Sequence, residues 1–226
     1  MSLFVLNFSA QGQIFKKAKD ILGGSASFSK EDAANALKQA LEQGTVKGVD
    51  VISQVDGYYK NPQVKIPFPP EAKNVENKLR SLGLGNQVDQ AVESLNRAAE
   101  DAASEAKDIF VSAIKSLTIQ DAINIVKGDK DAATQFLERE TTSELESKFS
   151  PIIDASLKKV DATKYWSDVM GTYNKIPLVK KVETDLTAYV TKRAIDGLFV
   201  MIAKEELNIR QNPGARTTEL LKKVFK

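Results

Sequence analysis

From Val88 onward the apolar positions Val92, Leu95, Ala99, Ala102, Ala106, Ile109 and Ala113 follow one another in alternating steps of four and three residues. That spacing draws one apolar stripe down the side of an α-helix, the seam along which two helices pack nearly antiparallel. A stripe of this length commits the chain to supplying other helices that cover it. Its middle is rich in alanine, which lets a partner approach closely, so the spacing predicts one long helix at the centre of a bundle and not on its rim.

The remaining segments provide the covering helices. Gln13 to Leu22 reads as a short helix stopped by Gly23-Gly24, and Ser29-Lys30-Glu31-Asp32 offers an N-cap for a longer one running toward Gln54. Gly44 and Gly48 lie inside that second helix and would weaken it in isolation by roughly 1 kcal/mol each, so close packing on a neighbour has to offset them. Asp56 to Pro70 is the one extended stretch, because Pro62, Pro67, Pro69 and Pro70 forbid regular helix. Glu71 to Leu82 resumes helical spacing and Gly83 closes it. Thr118-Ile119-Gln120-Asp121 is a capping box with aspartate in the usual glutamate position, opening a helix that ends at Gly128. Asp131 to Phe149 is helical, and the chain is expected to restart at Ser150-Pro151, since proline suits a first turn and not an interior one. Further helices are expected over Thr163 to about Lys175, Asp185 to about Gln211, and Thr217 to Phe225, with Asn212-Pro213-Gly214 breaking the chain before the last. No alternating strand pair with hairpin chemistry and no fixed-period repeat is present. The expected fold class is all-α, a single multi-helix bundle over residues 13–226 with one extended proline-rich loop; two tightly joined helical halves are the alternative.

Composition narrows the chemistry. Hydrophobic residues are 42% and charged residues 27% of the 226, a profile far from that of disorder. A formal net charge of +2 gives no whole-molecule field for gathering phosphates, so nucleic acid is not an expected partner. With neither cysteine nor histidine in the chain, disulfides, thiolate chemistry, the commonest general base and the commonest metal ligand are all absent. Zinc hydrolase and Ser-His-Asp readings fall away, and no catalytic residue, metal site or cofactor is assigned. The longest strongly apolar run, Gly197 to Ala203, is far short of the ~20 residues of a membrane-spanning helix. Leu3 to Ala10 is apolar and ends in small residues, as the tail of an export signal does, but it lacks a charged start. Residues 1–12 therefore read either as the remnant of such a signal or as a short segment docking on the core.

Several motifs have the outline of a chemical site. Asp129-Lys130-Asp131 with Glu140 has the outline of a calcium loop, but Ala133 and Thr134 stand where an oxygen ligand and a sharp-turn glycine belong. Gly83-Leu84-Gly85 lacks the third glycine and the preceding strand of a dinucleotide fingerprint, and there is no phosphate-cradling GxxxxGK. Glu138, Glu140, Glu144 and Glu146 scatter around a helix, and the lysine pairs along the chain are balanced by nearby acids. Two places stand out. The proline-rich loop from Gly57 to Pro70 offers Tyr58, Tyr59, Lys60 and Phe68 as a stiff partner-binding surface; the competing reading is a strap across the helices with Tyr58, Ile66 and Phe68 tucked inward. The second is the polar set Asn96, Arg97 and Glu100 on the long helix, with Asp196 and Arg216 elsewhere. If these converge in the interior they form a buried ionic network, which more often fixes packing than performs chemistry.

Read in order, the stretches Asp56-Gly57-Tyr58, Asn61-Pro62 and Ile66-Pro67, then Leu95-Asn96-Arg97-Ala98-Ala99-Glu100, Asp131-Ala132-Ala133-Thr134, Asp196-Gly197-Leu198-Phe199, and Asn212-Pro213 with Ala215-Arg216-Thr217-Thr218-Glu219-Leu220-Leu221 resemble a bacterial family catalogued as domain of unknown function 4197. The likeness runs from about Ser29 to the end. Its motifs specify membership and name no reaction. The resemblance implies export to the cell envelope, in keeping with the apolar start, while the absence of a complete signal leaves the cytoplasm open. The expectation carried forward is a nonenzymatic helical binding module of the envelope, for an apolar small molecule or a protein partner. The alternative is an enzyme using the Arg97, Glu100, Asp196 and Arg216 cluster on a phosphate or carboxylate substrate.

Overall fold

Ser29 opens the first helix, α1 (Lys30–Ile52), through a two-way cap: its hydroxyl accepts from the Asp32 N–H, and the Asp32 carboxylate accepts from the Ser29 N–H. Two of the donors orphaned at a helix start are thereby satisfied. The computed structural model to which α1 belongs describes residues 29–159, 162–163, 166, 174–175, 181, 185–216 and 222. The apolar start and the expected helix Gln13–Leu22 lie outside the described residues, as do most of Thr163–Lys175 and all of Thr217–Phe225 but Lys222.

Among the described residues six more α-helices follow: α2 (Lys73–Ser81), α3 (Gly85–Ala103), α4 (Ala106–Ser116), α5 (Ile119–Lys127), α6 (Ala132–Lys158) and α7 (Leu186–Gln211), with short 3-10 turns at Pro70–Ala72 and Pro213–Ala215. No strand occurs among them, and the fold is an all-α bundle. The chemistry expected at several termini is in place. Thr118 and Asp121 form a capping box at the start of α5, Gly83 takes a left-handed φ of 82° where α2 ends, and the Asp185 carboxylate caps α7 by accepting from the Ala188 N–H.

The longest helices, α6 and α7, pack along each other, and α3 lies against both. α1 covers another side of α7, while α4 and α5 close over α1. The glycines of α1 set how near α7 comes: a Cβ on Gly44 would stand 3.3 Å from Ile209 Cδ1, and one on Gly48 would stand 3.7 Å from the Met201 backbone. Close contact therefore offsets their poor helix propensity. Leu37, Ile52, Phe110, Leu137, Leu145, Phe149, Ile153, Leu157 and Leu198 fill the shared core. No single helix among the described residues is long and apolar enough to cross a membrane.

Three local expectations are corrected. The long helix expected from Val88 through Ala113 is two, α3 and α4, parted at Ser104 and Glu105. There the Glu105 N–H reaches the Ala102 carbonyl and the Lys107 N–H reaches that of Ser104, the tighter three-residue bonds that end one helix and begin another. The apolar stripe continues across the break because α3 and α4 both pack on α6. Second, the strap from Asp56 to Pro70 is not extended throughout. Its first half is a run of tight turns, with Lys60 N–H on the Asp56 carbonyl, Asn61 N–H on that of Tyr58, and both Val64 and Lys65 N–H on that of Asn61. The chain is free of such turns only around Pro67, since Pro69 and Pro70 open the 3-10 turn Pro70–Ala72; Pro62 likewise sits inside a turn, where its missing N–H is not needed.

Third, the chain does not restart at Pro151, which lies inside a continuous α6. Proline removes the bond to the carbonyl of Ser147, yet both residues face solvent, where water replaces the lost donor. Meanwhile Leu145, Phe149, Ile153 and Leu157 bury one stripe through the site without interruption, and that burial holds the helix together. Replacing Pro151 by alanine should stabilise the fold by about 2 kcal/mol, after allowing for the greater freedom of the unfolded alanine chain. A urea titration reads this as a higher midpoint at unchanged slope, and no gain would mean that α6 is interrupted in solution.

Candidate functional site

One turn of α3 holds the strap. Asn96, fully buried, presents its side-chain amide as a strand would: Oδ1 accepts from the Ile66 N–H at 2.8 Å, and Nδ2 donates to the Ile66 carbonyl at 2.8 Å. Four residues later Glu100, also buried, accepts at Oε1 from the N–H groups of Tyr58 and Tyr59, at 3.0 and 3.1 Å. Its Oε2 accepts from Arg97 Nη1 at 2.7 Å. Asn96 and Glu100 lie one turn apart and so share a face, and between them they pair backbone groups that a buried loop would otherwise leave orphaned.

Arg97 sits at the rim of this face. Its Nη2 donates to Asp56 Oδ1 at 2.7 Å and to Glu93 Oε1 at 3.0 Å, and Lys60 pairs with Asp56 at 2.8 Å. Asp56 is the one non-glycine residue with positive φ among the described residues, at 71°. Aspartate tolerates that conformation better than most residues, and its carboxylate is pinned by the two cations. The Tyr59 ring lies under Lys65 Nζ at 4.3 Å and near the Arg97 guanidinium at 5.3 Å.

On the other side the strap is tied to α7. The Tyr58 ring is fully buried, and its hydroxyl donates to the Ala194 carbonyl at 2.7 Å. Tyr189 donates its hydroxyl to the Pro67 carbonyl at 3.1 Å, and Lys204 reaches Gln63 at 3.0 Å. Phe68 is half-buried, edge-on to Trp166 with centroids 5.3 Å apart. Of the four loop side chains singled out from the sequence, Tyr58 therefore points into the core and Phe68 is partly covered, which leaves Tyr59 half-buried and Lys60 exposed.

The polar set does not converge as a whole. Asn96, Arg97 and Glu100 meet at the strap, but Asp196 is exposed and pairs at 3.5 Å with Arg193 on its own helix. Arg216 donates to the carbonyls of Ile209 and Arg210, at 3.1 and 2.8 Å, covering the C-terminal end of α7. At the rim three carboxylates, Asp56, Glu93 and Glu100, face two cations, Arg97 and Lys60, so the cluster offers no net attraction to an anion. The hydrogen bond from Lys60, followed by that from Arg97, holds the Asp56 carboxyl below its ordinary value. Glu100 first and Asp56 second hold Arg97 still more firmly protonated. Burial above all, then the charges of Glu100 and Asp196, pushes the Tyr58 phenol far up. None of these three groups is poised to exchange a proton near neutral pH.

A carboxyl whose folded value is depressed adds stability that is fully present above its unfolded value and is lost as pH falls through the folded one. Asp56 should therefore tighten the strap down to about pH 4 and release it below. The expected result is that Asp56→Asn flattens the acid limb of stability below about pH 4, read by urea midpoints across pH. An acid limb identical in the two proteins would remove Asp56 from the account.

A second buried carboxylate escapes a reading of the sequence. Glu206 on α7 accepts from the N–H groups of Ala133 and Thr134 at 3.0 and 2.8 Å and from the Thr134 hydroxyl at 2.7 Å, and it is paired by Arg210 at 2.8 Å. It caps α6, whose own N-cap residue, Asp131, makes no side-chain cap. The one local signal is the i,i+4 spacing of Glu206 and Arg210, since Asp131 reads from the sequence as a good cap in its own right. The partner 72 residues away in the chain left no mark in the pattern. The calcium outline over the same residues gains no support, since no group of three or more metal-binding side chains is found among the described residues.

Beside Arg97, Gln90, Glu93, Ser94, Ala98, Asp101, Ser156 and Lys159 line an open groove of about 300 Å³ between α3 and α6. The void bounded by Leu37, Leu41, Ala133, Glu206 and Ile209 holds only about 10 Å³, at most the space of one water.

A family model described as a protein of unknown function, DUF4197, matches residues 27–226. No curated protein and no solved structure matches the chain.

Proposed function

The chain belongs to DUF4197, a family of proteins of unknown function, and we propose that it is a nonenzymatic helical binding module of the bacterial cell envelope, presenting the strap to a protein partner. The observation that carries this reading is the way the strap is mounted. Tyr58, Val64 and Ile66 are buried beneath it, and Asn96 and Glu100 tie its backbone. Lys60, Gln63 and Lys65 are exposed and Tyr59 is partly so. A loop already fixed in one conformation loses little further freedom when a partner docks, which is what a recognition surface requires. An aromatic ring flanked by cations on such a mount suits a protein surface.

Two other readings are weaker. The enzyme reading needs an open set of available groups, but three of the Arg97 hydrogen bonds go to carboxylates and Arg216 is engaged on backbone carbonyls. A phosphate or carboxylate would have to displace those partners from a rim that already carries more acid than base. The apolar-ligand reading lacks room at the void beneath α1, which is too small for such a guest. Envelope location rests on the apolar stretch Leu3 to Ala10 and on the family resemblance, and fractionation of cells making the protein tests it separately.

The binding proposal is tested by placing a photo-crosslinking residue at Lys60 or Gln63 in cells, with Glu138 and Lys148 on the outer face of α6 as controls. The expected result is one adduct of constant mass from the strap positions only, lost when Tyr59→Ala is added to a protein that melts as before. Adducts equal at strap and control positions, or unaffected by Tyr59→Ala, would remove the strap as a binding surface.

A further inference from the structure

We draw no further inference here: the strongest candidate, the outward face of α1 where Val51 stands exposed beside the partly buried Val46, is an apolar surface patch, and nothing in the structure shows what covers it.

Discussion

Glu100→Ala is expected to destabilise the protein by about 2–4 kcal/mol, mostly through the strap amides it leaves unpaired. The side chain serves three donors at once: the N–H groups of Tyr58 and Tyr59 and the guanidinium of Arg97. Alanine leaves two buried amides without an acceptor, each carrying a desolvation penalty of about 1–3 kcal/mol, and Arg97 loses its most buried partner. Glu100→Gln keeps a carbonyl oxygen for the two amides but turns an NH₂ toward Arg97, so about half the loss should remain. Urea midpoints measure the global effect. Amide exchange at Tyr58 and Tyr59 separates it from local opening of the strap, which should precede unfolding in the alanine variant. A loss below about 1 kcal/mol for Glu100→Ala would mean that water reaches the strap amides and that the buried tie is not what fixes the loop.

The same residue shows how far the sequence could be read. Glu100 and Asn96 stand out because they are polar and lie on the apolar stripe side of a helix whose 4-3 spacing is plain. What they hold is not written nearby, because their partners are the backbone groups of Tyr58, Tyr59 and Ile66, 30 to 42 positions away. Ser29, Thr118 and Gly83 were legible for the opposite reason: a cap is settled within four residues. Pro151 misleads a local reading because a missing backbone bond is visible in the sequence, whereas the buried row of Leu145, Phe149, Ile153 and Leu157 that overrides it depends on α6 having partners on that side. The parting of α3 from α4 is the converse case. The apolar spacing runs through it unbroken, while the partners that differ between the halves, α7 for α3 and chiefly α1 for α4, lie far along the chain.

Glu206 and Glu100 are two uses of one device. Each carries an arginine on its own helix, Arg210 four residues later and Arg97 three residues earlier, and each gathers two successive backbone N–H groups from a distant segment. One device closes the strap over α3, and the other seats the start of α6 on α7. That repetition favours a packing role for the carboxylates over a chemical one, since a capping glutamate has no need of access to solvent and a catalytic one does.

Gly197→Ala is expected to cost about 1–3 kcal/mol, although alanine is the better helix former by nearly 1 kcal/mol and α7 is otherwise regular there. A Cβ at Gly197 would stand 2.7 Å from Tyr58 Cε1 and 3.3 Å from Val64 Cβ. Neither neighbour yields easily: the Tyr58 ring is fully buried with its hydroxyl tied to Ala194, and Val64 is buried in the strap. The added methyl must therefore lift the strap, which strains the ties to Asn96 and Glu100 that share its backbone. A double-mutant cycle isolates this contact. In a Tyr58→Leu background, where the smaller side chain frees the slot, Gly197→Ala should become neutral or stabilising, a coupling of about 1–3 kcal/mol. Equal costs in both backgrounds would show that Tyr58 does not rest on Gly197. The strap's position would then be set from the α3 side alone, and the rigid mount on which the binding proposal rests would lose its second support.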